Sequence, residues 1–298
     1  MAMPDQSFNP EAKFQVPVSG GALSVFRFVP DSGKPILLIH GVTSSHLAFQ
    51  LLSHELVARG FSPYAVDLRG RGSSNQLPGP FGMGVHARDM QSVIDHFGWK
   101  AVDVVGHSMG AFVTVALLGL FPERVTKVSL VDGGIPLPLP PGISVAQILP
   151  VVLGPALTRL AMTFPSKESY REYWKPQAAF TKGWSPVLDA YVDYDLQGEP
   201  PHLKPATNPL AVEEDSKDLF GSDLINKTLA ELDRDVLFIR AERGLQNEEQ
   251  GLYPMPVLNA VLPNYPRLKF INLENTNHYD ILLESSGARR VAKEICGE

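Results

Sequence analysis

The sequence predicts an α/β fold in which helices cover both faces of a mostly parallel, twisted sheet. From Pro35 onward, short apolar runs alternate with amphipathic segments, a rhythm typical of strand–helix–strand units. The first of these runs, Ile36–Ile39, is apolar at every position, as expected of a strand buried on both faces. Two β-like segments precede it and are separated by Gly20-Gly21, which suits a hairpin turn.

The core elements are expected in the following order. The strands are Lys13–Val18, Ala22–Val29, Ile36–Ile39, Tyr64–Leu68, Ala101–Val105, Val125–Val131, Val236–Ile239 and Leu268–Ile271. The helices are His46–Arg59, Met83–Phe97, Met109–Phe121 and Asp280–Ile295. In the second helix, for example, Met90, Val93 and Phe97 recur at helical spacing and form one apolar face.

The alternation stops between Gly133 and about Asp223. This stretch opens with the proline-rich Ile135–Pro141 and contains no clear strand, yet it holds many of the tyrosines and tryptophans. A segment this long is either disordered or an inserted unit, and disordered segments contain few aromatic residues. We therefore predict a helical cap at residues 135–225, inserted after the sixth strand between core segments 1–134 and 226–298.

Composition and charge exclude several classes of protein. The chain has 298 residues and a formal net charge of −6, with scattered basic residues, so neither nucleic acid nor a membrane surface is an expected partner. The one cysteine, Cys296, allows no internal disulfide and no cysteine-based zinc site. The first residues lack the apolar stretch of a signal peptide. Val104–Phe121 suits a buried strand, turn and helix better than a membrane span. We expect a cytoplasmic protein.

No metal or organic cofactor is expected. The chain has no H-E-x-x-H motif, and its histidines are not spaced as ligand pairs. The glycine-rich segment Gly79–Gly84 lacks both a preceding strand and the spacing of a dinucleotide-binding turn. The expected partner is a small-molecule substrate.

The residues Gly106-His107-Ser108-Met109-Gly110 fit the pattern G-x-S-x-G between a predicted strand and a predicted helix. So sharp a turn holds the central residue in strained geometry and displays its side chain at the carboxyl edge of the sheet. The flanking glycines allow neighbouring elements to approach closely. The backbone N–H of Met109 lies at the helix N-terminus, where it points towards a developing oxyanion. Ser108 is therefore the candidate nucleophile.

With this turn, three further segments make the chain resemble the α/β-hydrolase superfamily, in its capped, esterase- or lipase-like branch with a serine nucleophile. The segments are Ile39-His40-Gly41-Val42, Asp67-Leu68-Arg69-Gly70-Arg71-Gly72 and Asn277-His278-Tyr279. The resemblance extends over most of the chain. It implies that Val42, which follows the His-Gly pair, donates the second oxyanion N–H, and that Asp67 and Arg69 are structural.

A serine hydroxyl needs a base that accepts its proton as it attacks, and the chain has eight histidines. His107 lies inside the turn, and its ring is expected to point away from Ser108. Four others lie on or beside helices, where solvent exposure is expected: His46, His54, His86 and His96. His278 follows the last predicted strand, at the position of the catalytic histidine in the superfamily that the chain resembles. His278 is the candidate base.

The histidine needs a carboxylate that fixes its tautomer and stabilises the imidazolium. The usual superfamily position follows the strand Val236–Ile239, but Gly244 stands there in place of an aspartate. One alternative is Glu242, shifted by two residues. The other is Asp132, directly after the strand Val125–Val131, where some branches of the superfamily place the acid. Asp132 is preferred because it needs no change of register, and Glu242 remains the alternative.

Together these residues predict a serine hydrolase that cleaves a small or medium, partly apolar carboxylic ester, thioester or lactone through a covalent acyl-enzyme. Carbon–carbon bond hydrolysis and cofactor-free perhydrolysis by the same triad remain alternatives. A small-molecule receptor with a weak triad is a further alternative, which the irregular acid position favours. Repeated turnover of short p-nitrophenyl esters distinguishes an enzyme from a receptor.

Overall fold

The computed structural model describes residues 9–29, 32–139, 142–180 and 182–298. In this part of the chain, one sheet contains β1 (Ala12–Val18), β2 (Gly21–Arg27), β3 (Lys34–Ile39), β4 (Phe61–Val66), β5 (Val102–His107), β6 (Val125–Val131), β9 (Val236–Ala241) and β10 (Leu268–Leu273). The two-residue strands β7 (Leu196–Gln197) and β8 (Lys204–Pro205) pair with each other. Residues 1–8, where no signal peptide was expected, and Pro140-Pro141 of the proline-rich stretch lie outside the described residues.

The order of the strands across the sheet is β1-β2-β4-β3-β5-β6-β9-β10. β1 and β2 form an antiparallel hairpin and β2 also runs antiparallel to β4, whereas the remaining neighbours are parallel. The prediction of a mostly parallel sheet is confirmed. Since β5, β6 and β9 are parallel neighbours, the loops that follow them meet at the carboxyl edge of the sheet.

The described helices are α1 (Gln50–Val57), α2 (Met83–His96), α3 (Met109–Leu120), α4 (Val145–Leu160), α5 (Lys167–Trp174), α6 (Pro186–Tyr194), α7 (Pro209–Ser216), α8 (Asp223–Ala230), α9 (Met255–Val261), α10 (Asp280–Leu283) and α11 (Ser285–Cys296). The prediction of one closing helix from Asp280 to Ile295 is wrong, because α10 and α11 are separate. Glu284 adopts an extended backbone between them, and its carboxylate accepts hydrogen bonds from the N–H groups of Ser286 and Gly287.

Apolar residues of the sheet alternate between two cores, one on each face. Leu37 and Ile39 of β3 pack into a core that includes residues of α2, α3 and α8. Ile36 and Leu38 pack into a second core with residues of α1 and α11. Side chains of a strand alternate in direction, so this double burial explains why β3 is apolar throughout. Helices on both faces, as predicted, are confirmed.

The long segment after β6 contains helices α4 to α7, and the short β7–β8 pair lies between α6 and α7. Its aromatic residues Tyr170, Trp174 and Tyr191 belong to the same buried core as α1 and α11. The predicted cap boundary at residue 225 falls within α8. This helix packs on α3 so closely that a Cβ on Gly119 would lie 2.0 Å from Thr228 Oγ1.

The apolar stretch Val104–Phe121 is divided between β5, the turn at Ser108 and α3, as the sequence predicts. Among the helices of the described ranges, none is long and apolar enough to cross a lipid bilayer.

Candidate active site

Ser108 occupies the sharp turn between β5 and α3, with a positive φ of 54°. Its N–H donates a hydrogen bond to the carbonyl of Val131 in β6 at 2.9 Å, which ties the turn to the neighbouring strand. A Cβ on Gly110 would lie 2.0 Å from the Ile39 carbonyl oxygen, so only glycine allows α3 to pack this close to β3. The strained backbone is thus held by its surroundings, and it leaves the serine half-buried in a cavity.

The loop after β3 is fixed by the buried ring of His40. Its Nδ1 donates to the Gly41 carbonyl at 2.7 Å, and its Nε2 accepts from the Leu68 N–H at 3.0 Å. Burial lowers the pKa of His40 to about 4, so the ring is neutral near pH 7 and has this one tautomer. The peptide unit of the Gly41 carbonyl also contains the Val42 N–H, so His40 fixes the direction of that donor.

Two backbone donors at the site have no acceptor among the residues that the structure describes. Among the described residues, neither the Val42 N–H nor the Met109 N–H has a hydrogen-bond acceptor. Val42 lines the same cavity as Ser108, and Met109 follows Ser108 at the N-terminus of α3. Both N–H groups that the sequence predicts as oxyanion donors are therefore available to a substrate.

The structure brings Asp132 to His278. Asp132 follows β6 directly, is fully buried and has a positive φ of 46°. His278 Nδ1 donates to Asp132 Oδ2 at 2.6 Å, while Asp132 Oδ1 accepts from the Ala241 N–H at 3.1 Å. The carboxylate therefore fixes the tautomer in which Nε2 of His278 is free to accept a proton. His278 lines the cavity together with Ser108.

Glu242, the alternative acid, does not contact His278. Its Oε2 accepts a hydrogen bond from the Asn275 N–H at 2.7 Å instead. The contact between the loop after β9 and His278 is through the backbone, where the His278 N–H reaches the Gly244 carbonyl at 3.5 Å. Of the two candidate acids, only Asp132 is placed to orient the imidazole.

His107 has a contact that the sequence did not indicate. Its Nε2 donates to the carbonyl of His278 at 3.1 Å, and the two ring centroids are 4.7 Å apart. Burial and the neighbouring His278 ring lower the pKa of His107 well below its usual value, so it stays neutral. His107 also lines the cavity at Ser108. Its hydrogen bond to the His278 carbonyl supports the loop that contains His278. The motif contains this histidine, but no local pattern indicates a partner so distant in sequence.

The prediction that the helical histidines are exposed is wrong for His46 and His86, which are buried. His46 Nδ1 bonds Asp67 Oδ1 at 2.9 Å, and His86 Nε2 bonds both oxygens of Asp215 at 3.0 Å. Burial alone would raise the pKa of Asp67, but the His46 contact lowers it to about 2. Asp67 thereby has the structural role that the resemblance implies, since it also accepts from the Ser73 N–H at 2.8 Å.

The cavity at Ser108 is small and mostly apolar, with a volume of about 50 Å³. Its walls come from the sheet edge, from α10 and from the segment after β6, which contributes Ala156 and Tyr191. A second compartment of about 220 Å³ adjoins it and shares Ala156, Leu245 and Tyr279 as walls. Within the described part of the chain, no group of three or more His, Cys, Asp or Glu side chains is placed to hold a metal ion.

Comparisons with known proteins agree with this architecture. The "Serine hydrolase-like protein" of Danio rerio is 30% identical over 123 residues, which is 41% of this chain and 37% of that protein. "Lipase LipV" of Mycobacterium tuberculosis is 29% identical over 184 residues, 60% of this chain and 63% of that protein. The match thus spans less than two thirds of either relative.

Among solved structures, E-2-(acetamidomethylene)succinate hydrolase superposes with a TM-score of 0.74 at 19% identity, over 96% of this chain and 99% of that one. At this identity the likeness shows the fold alone. The family model described as "Alpha/beta hydrolase family" matches residues 36–294, from β3 into α11. The chain therefore belongs to the alpha/beta hydrolase family.

Proposed function

We propose that the protein is a serine hydrolase that cleaves a carboxylic ester, thioester or lactone with a short, apolar acyl group. The observation that carries the proposal is the 2.6 Å hydrogen bond from His278 Nδ1 to the buried Asp132, in the cavity region that also contains Ser108. This bond leaves Nε2 as the only ring nitrogen that can accept a proton. A histidine held in this way is suited to act as a general base.

The reaction follows from these positions. Ser108 Oγ attacks the carbonyl carbon while its proton passes to His278 Nε2, and Asp132 stabilises the imidazolium. The carbonyl oxygen becomes an oxyanion, for which the Val42 and Met109 N–H groups are available donors. His278 then returns the proton to the leaving alcohol or thiol, and an acyl-enzyme remains on Ser108. Water, activated by His278, releases the acid and restores the serine.

The size of the cavity supports a short acyl group. A volume of about 50 Å³ is small compared with the roughly 150 Å³ of an engineered apolar cavity that accommodates benzene. The apolar walls favour an uncharged acyl chain of a few carbon atoms. The adjoining compartment, which includes Gln246, Glu248 and Gln250 among its walls, has room for a larger and more polar leaving group.

The receptor alternative loses its support with Asp132 in place. The feature that favoured a weak triad was the absence of an acid after β9, at Gly244. Asp132 supplies the carboxylate from the end of β6, with a second oxygen bonded to the backbone of Ala241.

The test combines active-site labelling with turnover. The wild type and Ser108→Ala are treated with a fluorophosphonate and weighed by intact-mass spectrometry, and both are assayed with p-nitrophenyl acetate. We expect one adduct and repeated turnover for the wild type alone, with kcat lower by about 10⁶-fold in the variant. An unlabelled, inactive but folded wild type would contradict the proposal, and a stoichiometric burst without turnover would indicate a receptor.

A further inference from the structure

The buried side chain of Arg71 reaches both residues whose N–H groups are proposed as oxyanion donors. Arg71 lies in the loop after β4 and is fully buried. Its Nε donates to the Val42 carbonyl at 2.9 Å, and its Nη2 contacts Met109 Sδ at 3.8 Å. The guanidinium group is planar and rigid, so it contacts the Val42 backbone and the Met109 side chain at the same time through different nitrogens.

The contact with Val42 acts on the backbone. Two peptide units meet at the Val42 Cα: the preceding one contains the Val42 N–H, and the following one contains the Val42 carbonyl. His40 holds the first unit through the Gly41 carbonyl at 2.7 Å, and Arg71 holds the second at 2.9 Å. With both units held, the direction of the Val42 N–H is fixed. Without Arg71, one of the two constraints is lost.

Arg71 is itself held by Asp215 of α7, in the segment after β6. Arg71 Nη1 donates to Asp215 Oδ2 at 2.5 Å and to the Arg69 carbonyl at 2.9 Å. Asp215 also accepts from the Gly82 N–H at 2.5 Å and from His86 Nε2 at 3.0 Å. Burial alone would raise the pKa of Asp215, but His86 and Arg71 hold it well below its usual range. The carboxylate therefore stays charged, and the ion pair persists at neutral pH.

We propose that Arg71 is a positioning residue for the oxyanion site. Anchored by Asp215, it orients the Val42 backbone so that the Val42 N–H points towards the substrate carbonyl oxygen, and it packs against the side chain of Met109, the other proposed donor. The inference rests on the proposed function of Ser108 and extends it by a residue that does not touch the substrate. It also gives the inserted segment, through Asp215, a part in the geometry of the catalytic site.

The chain offers a matched control in Arg69. This arginine is two positions away, is equally buried, and pairs with the buried Asp89 through Nε and Nη2 at 2.9 and 2.8 Å. Its other contacts are the carbonyls of Pro78 and Ser19, and not Val42 or Met109. Replacing either arginine removes a buried ion pair, but only replacement of Arg71 removes a contact with the oxyanion loop.

The test uses two double variants, because an arginine replaced alone would leave a buried carboxylate without its arginine partner. Arg71→Met with Asp215→Asn is compared with Arg69→Met with Asp89→Asn, and Arg71→Lys serves as the conservative variant. For the Arg71 double variant we expect kcat on p-nitrophenyl acetate to fall by about 10²-fold with KM within about threefold. Amide hydrogen exchange at Ser44, whose N–H donates to the Gly41 carbonyl at 3.3 Å, should become faster. For the Arg69 double variant we expect kcat within about threefold and unchanged exchange there.

Arg71→Lys keeps the charge but not the planar fork, so an intermediate loss of about tenfold in kcat is expected. Equal losses of kcat in the two double variants, or unchanged exchange at Ser44 without Arg71, would overturn the proposal. A wild type without esterase activity would contradict the proposed function, whereas the exchange measurement would still decide whether Arg71 holds the Val42 peptide.

Discussion

Two regions contribute to the site by different physical means: the carboxyl edge of the sheet and the segment between β6 and β9, which we call the inserted segment. At the edge, Ser108 and Asp132 have positive φ angles and are tied by backbone hydrogen bonds to the strand beside them. In the inserted segment, Tyr191 lies in an aromatic core and bonds Ser44 Oγ through its hydroxyl group at 3.1 Å. Backbone geometry thus fixes the positions of the reacting groups, and side-chain packing determines the shape of the cavity. Substitutions at the edge should therefore change kcat, and those in the segment should change KM.

The largest effect is expected at Asp132. Asp132→Asn removes the charge that stabilises the His278 imidazolium and favours the wrong tautomer, so kcat should fall by about 10⁴-fold. Glu242→Gln is the matched control, because Glu242 lies after the next strand of the sheet and its carboxylate accepts from the Asn275 N–H instead of contacting His278. That variant should keep kcat within about threefold. Steady-state kinetics on p-nitrophenyl acetate measure both, and the reverse ranking would transfer the acid role to Glu242.

A second effect, on stability, follows from the neutral histidine at the sheet edge. Burial lowers the pKa of folded His40 to about 4, whereas the unfolded chain binds a proton at this residue below about pH 6.5. Because the unfolded state then holds more protons, the free energy of unfolding falls as the pH drops from 6.5 towards 4. The contribution of His40 is about 3 kcal/mol, fully present above pH 6.5.

Urea unfolding at pH 7.5, 6, 5 and 4 checks this expectation. The decline with falling pH should be smaller by about 3 kcal/mol in His40→Gln than in the wild type. His202→Gln, at an exposed histidine of the inserted segment, should follow the wild type at every pH. If His40→Gln loses stability with acid as steeply as the wild type, the buried neutral state assigned to His40 is wrong.

The smallest effect is expected in the inserted segment. Ala156 lines both compartments, so Ala156→Phe should narrow the passage between them and raise KM for p-nitrophenyl butyrate by about tenfold, with kcat little changed. Thr158→Phe, an exposed position on the same helix, is the control and should leave KM unchanged. A large loss of kcat in Ala156→Phe would show that the segment takes part in the chemistry and that the two regions are not separate in function.

Local patterns were sufficient for most of the fold. β3 is apolar at successive positions because both of its faces are covered, and α2 repeats its apolar residues because one of its faces is covered. The exceptions involve contacts distant in sequence. His46 and His86 belong to polar, helix-like segments, yet each is buried against an aspartate that lies 21 or 129 positions away. No helical periodicity carries information about such a partner.

Among the site residues, those that belong to a local motif could be predicted from the sequence, and those defined by a distant partner could not. The turn at Ser108 was identifiable from the sequence because strained strand-to-helix turns require glycines at set positions. The choice between Asp132 and Glu242 was not, since both follow strands of one parallel sheet and either could face the histidine loop. The order β5-β6-β9-β10 and the register of these strands place Asp132 Oδ2 2.6 Å from His278 Nδ1, which favours Asp132.

By itself, then, the sequence determined the alternation of strands and helices, the turn at Ser108 and the position of His278, because each depends on neighbours within a few residues. The tertiary structure decided which carboxylate bonds His278, the burial of His40 and His107, and the contacts of Arg71. The physical reason is that hydrogen bonds and desolvation depend on which groups meet in space. Those contacts are set by the packing of the whole sheet with its helices, and short segments do not encode them.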